Sequence, residues 1–252
     1  MLYVDLNCDM GEGMGNDEQL MPFITSANIA CGYHAGDRNT MLQTIRLCQH
    51  YQVAIGAHPS FPDRENFGRL ERVCTPAEVY NWVLQQVQIL QSVANELGAG
   101  VVHVKPHGAL YNQAAREHHL AAAIAQAVKD CDAQLVLVGL SGSCLITEAE
   151  AIGLKTTSEV FADRSYQDDG RLTPRSQPGA LIEEEAASIQ QVLQMVKTGS
   201  VKALSGKEVP LRAQTICLHG DGKQAVPFAK AIQETLRKEG ITIKAFYTSS
   251  MQ

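Results

Sequence analysis

The chain has 252 residues, of which 45% are hydrophobic and 19% are charged, and this balance excludes a disordered or fibrous protein. Its net charge of −6 provides no basic field for a phosphate backbone, so we expect no nucleic acid partner. No apolar run approaches the ~18 residues that a membrane span needs, so we expect no membrane association through a spanning helix.

Seven cysteines are scattered along the chain, and none of them is spaced as C-x-x-C. This arrangement fits neither a disulfide framework nor a zinc site built from thiolates. The residues before Asp5 do not form a basic and apolar leader. The sequence therefore predicts a protein of the reducing cytoplasm.

Short β-rich runs alternate with longer helical patterns along the chain. The predicted strands cover residues 2–6, 27–31, 53–57, 101–105, 134–138, 154–161, 215–218 and 241–245. This alternation predicts a parallel sheet with crossover helices, either closed into a barrel or open and doubly wound. Polar residues follow strands in every part of the chain, and only a barrel gathers all carboxyl ends of its strands at one mouth. A (β/α) barrel is therefore favoured.

The clearest predicted helix begins at Thr75, where Pro76 and Glu78 complete a capping-box pattern, and it ends before Gly98. Another helix is closed by Gly240, and further helices are expected over residues 39–48, 121–128 and 182–196. No linker or block of like charges divides the chain. We therefore predict one domain over residues 1–252.

The first strand carries the first candidate site residues. A period of two places Asp5, Asn7 and Asp9 on one face. Two carboxylates this close should raise the pKa of one of them or recruit a cation, and either outcome suits acid–base chemistry or metal binding. The alternative is a solvated strand edge, with Asp9 capping the turn at Gly11.

A second group follows the strand at 101–105. Pro106 fixes the backbone between Lys105 and His107, so both side chains leave the strand with little freedom. A lysine held in this way is suited to stabilising negative charge on a reacting carbonyl or carboxylate. His103, two residues before Lys105, is predicted to be a hydrogen-bonded interior histidine.

Three more histidines, His34, His58 and His219, also follow apolar segments, and together with Asp9 and Asp221 they favour a functional site. Imidazoles and a carboxylate are acceptable ligands for zinc, manganese or nickel. A divalent metal, if present, is expected on Asp9, His34 and His58. The sequence leaves the metal open, because it contains no compact H-E-x-x-H motif.

Two glycine-rich stretches fail as nucleotide-binding signatures. Residues 11–16 have Asn16 where the dinucleotide fingerprint requires its third glycine. Residues 201–208 have Val201 in place of the first glycine of a P-loop and Glu208 in place of its Ser/Thr. Neither stretch predicts ATP binding through a familiar loop.

Seven strings occur in the order typical of one family: residues 5–12, 27–37, 56–59, 67–69, 104–112, 161–164 and 219–221. Together they resemble the LamB/YcsF family, whose members are also called 5-oxoprolinase A subunits. The resemblance extends over nearly the whole chain. Tyr33 is one small departure, since phenylalanine is expected there more often.

The resemblance implies a distorted (β/α) barrel of about seven strands, of the glycoside hydrolase/deacetylase type. It also implies ATP-dependent opening of 5-oxo-L-proline (pyroglutamate) to L-glutamate, with ATP as co-substrate and 5-oxoprolinase subunits B and C as partners. Phosphorylating the oxygen of the unstrained lactam would make its carbon electrophilic. Since this chain has no P-loop, we expect the partner subunits to bind ATP for the most part.

Roles for the candidate residues follow from this resemblance. Asp9 is expected to be the general base for water, and His107 or His219 the general acid for the ring nitrogen. Lys105 is expected to stabilise the oxyanion or phosphate, and a guanidinium to grip the substrate carboxylate. The expected substrate-binding residues are Asp5, Asn7, His58, Arg69 and Arg164.

Two other functions stay open. One is a divalent-metal-dependent deacetylase of the polysaccharide deacetylase type, with Asp9, His34 and either His58 or His107 as metal ligands. The other is a non-catalytic scaffold subunit, which the many ionisable strand ends disfavour.

Overall fold

The computed structural model describes residues 2–218 and 225–246. The strands are β1 (Tyr3–Met10), β2 (Ser26–Ala30), β3 (Ala54–His58), β4 (His103–Val104), β5 (Val136–Leu140), β6 (Lys155–Phe161), β7 (Ser200–Lys202), β8 (Glu208–Pro210), β9 (Thr215–Leu218) and β10 (Thr242–Ile243). The helices are α1 (Asp17–Leu20), α2 (Arg38–Tyr51), α3 (Pro76–Glu96), α4 (Gly108–Ala114), α5 (His118–Cys131), α6 (Cys144–Ala151), α7 (Glu185–Thr198) and α8 (Ala225–Lys238). A 3₁₀ turn covers Met21–Phe23.

Seven parallel strands form a closed barrel in the order β1-β2-β3-β4-β5-β6-β9. The barrel closes where β9 pairs with β1, in a register that sets Asn7 opposite Cys217. The first residues of β1 pair instead with β10, with Tyr3 opposite Thr242. The predicted barrel of about seven strands is confirmed, and the open sheet is not formed.

The antiparallel hairpin of β7 and β8 lies outside the barrel and was not predicted. Its turn contains Ser205, Gly206 and Lys207, with Gly206 at a φ of 92°. Such a φ favours glycine, so the glycine here serves a hairpin turn. The stretch over 201–208 is therefore part of a hairpin.

Helix α3 follows the predicted pattern. The backbone N–H of Glu78 donates to the hydroxyl of Thr75 at 3.3 Å, and the backbone N–H of Thr75 donates to the Glu78 carboxylate at 2.8 Å. This reciprocal pair is the capping box that the sequence predicts. The apolar stripe of the helix is buried and includes Val79, Val83, Val87, Leu90 and Ala94.

The period of two in β1 sorts side chains between two environments. Val4, Leu6 and Cys8 belong to the apolar core, whereas Asp5, Asn7 and Asp9 contact polar residues of other barrel strands. Because alternate residues of a barrel strand face inwards, the polar set lies inside the barrel. Among the described residues, none of the helices combines the length and hydropathy needed to cross a bilayer.

Gly56 in β3 is required by the packing inside the barrel. A Cβ at this position would lie 2.0 Å from Nε2 of His103, and the His103 ring is held in place by Asn28 at 2.9 Å. Gly56→Ala should therefore lower the free energy of unfolding by about 1–3 kcal/mol.

Gly100 provides the matched control, because a Cβ there would meet no atom within 4 Å. Gly100→Ala should change the free energy of unfolding by at most about 1 kcal/mol. Urea unfolding of both variants measures the difference. Equal stabilities would show that the His103 ring yields to the added methyl group.

Candidate active site

A cavity of about 640 Å³ opens at the carboxyl ends of the barrel strands. Its floor includes Asp9 at the end of β1, His58 at the end of β3, and Lys105 and His107 just after β4. Phe161 and the residues that follow β6 form the opposite wall. The barrel thus brings together side chains that are up to about 150 residues apart, as expected when all carboxyl ends meet at one mouth.

Lys105 lies at the centre of the polar interior and is only 2% exposed. Its Nζ is 3.0 Å from Oδ1 of Asp9 and 2.9 Å from Oε1 of Glu159. Oδ1 of Asn7 and Sγ of Cys217 lie at 3.3 and 3.1 Å. An ammonium group has three hydrogens to donate, so these acceptors occupy them all.

The ionisation of this pair follows from burial and charge together. Burial by itself would lower the pKa of Lys105, but the acidic groups of Asp9, Cys217 and Glu159 raise this pKa well above its ordinary value. Burial by itself would raise the pKa of Asp9, but His58 and Lys105 hold it well below its ordinary value. Lys105 and Asp9 are therefore an ion pair at neutral pH.

Asn28 orients Asp9 from the neighbouring strand. Its Nδ2 donates to Oδ1 of Asp9 and to Oδ1 of Asn7, both at 2.8 Å, and its Oδ1 accepts from Nε2 of His103 at 2.9 Å. Burial, with the charge of Lys105 adding to it, lowers the pKa of His103 to about 3. His103 is therefore neutral, which confirms the predicted interior histidine.

Asp5 lies deeper in the barrel than Asp9 and does not line the cavity. Its carboxylate accepts hydrogen bonds from Thr25 and Ser26 at 2.6 Å, and from Thr215. Burial raises its pKa to about 6, although these hydroxyls act in the opposite direction. Of the two carboxylates in β1, Asp5 therefore has the raised pKa, and burial is its main cause. Asp9 instead binds a lysine, Lys105.

Asn7 is also buried below the cavity floor, where it donates to Glu159 at 3.0 Å and to Thr215 at 2.7 Å. The structure thus does not bring the predicted substrate-binding residues Asp5 and Asn7 to the cavity surface. It does bring Asp9, Lys105 and His107 there.

Four side chains from successive strand ends converge beside Asp9, and we call them the histidine cluster: Glu12, His34, His58 and His107. One nitrogen or oxygen of each lies within 4.8 Å of the others. Oε1 of Glu12 is 3.0 Å from Nε2 of His34 and 3.3 Å from Nδ1 of His107. The rings of His34 and His107 are stacked, with centroids 3.8 Å apart.

Burial is the main influence on the pKa values of Glu12, His34 and His107. It lowers the pKa of His34 and of His107 well below the ordinary value for histidine, and neighbouring histidines add to the effect. Burial also raises the pKa of Glu12, to which the charge of Asp9 contributes.

The histidine cluster differs in part from the metal ligands predicted from the sequence. It contains His34 and His58, but Glu12 and His107 complete it in the place of Asp9. Asp9 remains close, with Oδ2 at 3.3 Å from Nε2 of His58. Sequence reasoning missed Glu12, although a residue between Gly11 and Gly13 directly after a strand marks a tight turn, and both glycines have positive φ.

Five arginines line the cavity: Arg69, Arg116, Arg164, Arg171 and Arg175. Together with Lys105 they outnumber the lining carboxylates, which are Asp9, Glu12 and Glu71. Arg116 and Arg171 are paired with Glu71 and Asp169. The cavity wall is nevertheless rich in guanidinium groups, which are suited to bind anionic ligands.

The two predicted arginines occupy different places. Arg69 is exposed and lies over the ring of Phe67 at 4.9 Å. Arg164 is buried, and its guanidinium donates to the backbone carbonyls of Thr173 and Ala180 at 2.6 and 3.3 Å. Arg164 thus fixes the segment that carries Arg171 and Arg175. His219, with Asp221, lies outside the described residues.

Lys105→Met should lower the free energy of unfolding by about 3–5 kcal/mol, because the carboxylates of Asp9 and Glu159 would stay buried without their cation. Adding Glu159→Gln should restore part of this loss, since one of the two uncompensated charges is removed. Denaturant unfolding of the single and double variants gives the coupling between the two residues.

The exposed pair of Lys197 and Glu239 is the control, with side chains 42% and 41% exposed. Lys197→Met should cost no more than about 1 kcal/mol, as is usual for ion pairs at the surface. A Lys105→Met loss of the same small size would show that the buried charges are not coupled.

Known proteins match the chain over nearly its full length. The 5-oxoprolinase A subunit of Bordetella pertussis is 54% identical over 247 residues, which are 96% of this chain and 98% of that protein. The 5-oxoprolinase A subunit of Bordetella parapertussis has the same identity and coverage. The solved structure of a lactam utilization protein from Thermus thermophilus is 42% identical, with a TM-score of 0.90 over 97% of this chain and 100% of that one.

More distant structures share only the fold. A family 4 carbohydrate esterase from Streptomyces lividans has a TM-score of 0.51 at 12% identity, over 97% of this chain and 93% of that one. The model of the LamB/YcsF family, by contrast, matches residues 4–251. The chain therefore belongs to the LamB/YcsF family.

Proposed function

We propose that this chain is the A subunit of an ATP-dependent 5-oxoprolinase, which opens 5-oxo-L-proline to L-glutamate. The names of the similar proteins, the 5-oxoprolinase A subunit and the lactam utilization protein, support this class of reaction. The observation that carries the proposal is the cavity, in which an ionised carboxylate and two histidines lie beneath five arginines. Such a cavity suits a small anionic amide whose ring opening needs proton transfers.

The chemistry requires activation before water can attack. Amide resonance makes the lactam carbon a poor electrophile. Phosphoryl transfer from ATP to the lactam oxygen reduces this resonance, makes the carbon electrophilic and leaves ADP. One water then adds to the carbon, the carbon–nitrogen bond breaks and the nitrogen takes a proton. A second water releases phosphate from the acyl phosphate that remains, which yields L-glutamate.

We assign ATP handling mainly to two partner subunits, B and C. The glycine-rich turn after β1 is suited to carboxylate binding, because the backbone N–H of Gly11 donates to the side chain of Asp17 at 2.8 Å. The following helix α1 has only four residues, and its first turn is acidic. A phosphate group would meet like charge there.

Asp9 is the proposed base for the attacking water. Lys105 and Asn28 both bind its Oδ1, so we propose that Oδ2, which lies 3.3 Å from Nε2 of His58, is the oxygen that takes the proton from water. Lys105 has its donors occupied by Asp9, Glu159 and Asn7, so we propose that it keeps Asp9 ionised and oriented. From the sequence we expected Lys105 to contact the oxyanion or phosphate directly, and we now propose a positioning role in its place.

The remaining roles belong to the cavity wall. His107 and His219 are the two predicted proton donors to the ring nitrogen, and we propose His107 for this role in the protein without a bound metal ion. Arg69 at the mouth is the proposed clamp for the substrate carboxylate, since a guanidinium matches a carboxylate with two N–H donors. His58 lies beside Asp9 in the cavity wall and is proposed to contact the substrate.

A metal-dependent deacetylase is the second candidate, and the histidine cluster is the observation that favours it. It would release acetate from an acetylated sugar without ATP. The shared fold with the Streptomyces esterase does not extend this inference, because their identity is only 12%.

Reconstitution tests the proposed function. The purified chain alone should hydrolyse neither 5-oxoproline nor ATP, and adding subunits B and C should produce glutamate and ADP in equal amounts. The control omits this chain and retains the two partners. Glutamate release without partners, or tight ATP binding by the isolated chain in calorimetry, would contradict the division of labour. Acetate release from an acetylated sugar without ATP would establish the deacetylase instead.

Asp9→Asn should lower kcat/KM for glutamate formation by about 10²–10⁴ in the reconstituted complex. The variant should stay folded, because Lys105 keeps Glu159 at 2.9 Å. Asp130→Asn is the control, since Asp130 contacts Tyr80 and Gln126 outside the cavity. Full activity in a folded Asp9→Asn protein would remove Asp9 from the mechanism.

A further inference from the structure

We infer that the histidine cluster of Glu12, His34, His58 and His107 binds one divalent first-row metal ion, with zinc as the ion that best suits its donors. The hydrogen bonds and interatomic distances of these four side chains support the site, whichever amide the cavity hydrolyses.

Two of the rings have their hydrogens placed by backbone carbonyls. Nδ1 of His58 is 2.7 Å from the carbonyl oxygen of Lys105, and Nε2 of His107 is 2.9 Å from the carbonyl oxygen of Phe67. A carbonyl oxygen only accepts, so each of these nitrogens carries a hydrogen. When both rings are neutral, as metal binding requires, the other nitrogen of each ring, Nε2 of His58 and Nδ1 of His107, presents a lone pair.

These two lone pairs face each other across 2.9 Å. Two acceptors at this distance repel unless a positive particle lies between or beside them. A proton would satisfy these two atoms alone. However, more than two atoms that could bind a metal ion lie close together at this place.

Glu12 and His34 complete the donor set. Oε1 of Glu12 is 3.3 Å from Nδ1 of His107, 3.8 Å from Nε2 of His58 and 3.0 Å from Nε2 of His34. Ligand atoms about 2.1 Å from a common metal ion lie roughly 3.0–3.4 Å apart in octahedral or tetrahedral geometry. The separations of 2.9, 3.0 and 3.3 Å fall in or near this range, and that of 3.8 Å lies outside it. Imidazole with carboxylate is a ligand set found in zinc sites.

The backbone around His107 shows how the ring is held. Phe67 has a φ of 55°, a left-handed conformation that is uncommon for a residue other than glycine. A Cβ on the next residue, Gly68, would lie 3.1 Å from both His107 and His34. This tight turn supplies the carbonyl that orients His107, as backbone carbonyls commonly do for histidines that bind metals.

The ion would face the cavity beside the proposed base. Glu12, His58 and His107 all line the cavity, and Oδ2 of Asp9 is 3.3 Å from Nε2 of His58. A metal ion held by these residues would supply a Lewis acid for a carbonyl oxygen or a water molecule. Because a metal-bound Nδ1 cannot donate a proton, the metal-bound protein must protonate the leaving nitrogen from a group other than His107.

Metal binding can be measured on the isolated full-length chain, without ATP, partners or substrate, so failure here is distinguishable from failure of the proposed function. After chelator treatment, the chain should take up one equivalent of Co²⁺ with the visible bands of a protein-bound ion, and Zn²⁺ should displace it. At 100-fold excess of Zn²⁺ over Kd, the melting temperature should rise by about 5–10 °C.

Glu12→Gln should weaken Co²⁺ affinity by at least ~10-fold. The control is the double variant His118→Ala/Glu148→Gln, which removes an exposed histidine–glutamate pair at 2.7 Å and should bind Co²⁺ as the native chain does. Native Co²⁺ affinity in a folded Glu12→Gln protein would overturn the assignment, and so would an equal loss of affinity in Glu12→Gln and the control.

X-ray absorption of the zinc-loaded native chain needs no variant, and it decides the matter if Glu12→Gln fails to fold. Scattering from at least two imidazole rings would support the site. Absence of stoichiometric metal binding, or a zinc ion without imidazole ligands, would overturn it and leave a proton as the cation between His58 and His107.

Discussion

The buried ammonium group of Lys105 is the interaction on which the polar interior of this barrel depends. It rises from the end of β4 and contacts Asp9 of β1, Glu159 of β6 and Cys217 of β9. Two buried carboxylates without this cation would carry a large desolvation penalty. The ion pairs therefore fix the positions of strands on opposite sides of the barrel, and with them the position of Asp9 at the cavity floor.

The two acidic residues of β1 show how environment separates groups of the same type. Asp5 and Asp9 lie on the same face of one strand, but hydroxyl groups surround Asp5, whereas Lys105 and Asn28 bind Asp9. Burial raises the pKa of Asp5 to about 6, and the charges near Asp9 hold its pKa well below the ordinary value. Only Asp9 reaches the cavity, so the ionised carboxylate is the one placed for chemistry.

Above this interior, different loops supply different kinds of side chain to the cavity. The first four strand ends supply the histidine cluster, which converges on a single point beside Asp9. The segment after β6 supplies arginines, and the buried guanidinium of Arg164 anchors it through the carbonyls of Thr173 and Ala180. Acid–base groups thus lie on one side of the cavity, and much of its positive charge lies on the other.

Local pattern in the sequence determined the barrel strands, the capping box of α3 and the polar strand ends that carry Asp9, His58, Lys105 and His107, because each depends on neighbouring residues alone. The barrel itself was favoured because polar strand ends occur along the whole chain. Only the tertiary structure decided which side chains contact one another. Glu159 meets Lys105, and Glu12 replaces Asp9 in the histidine cluster. The period of two tells which face a side chain takes, but the closure register of β1 with β9 decides which distant residues meet across the barrel.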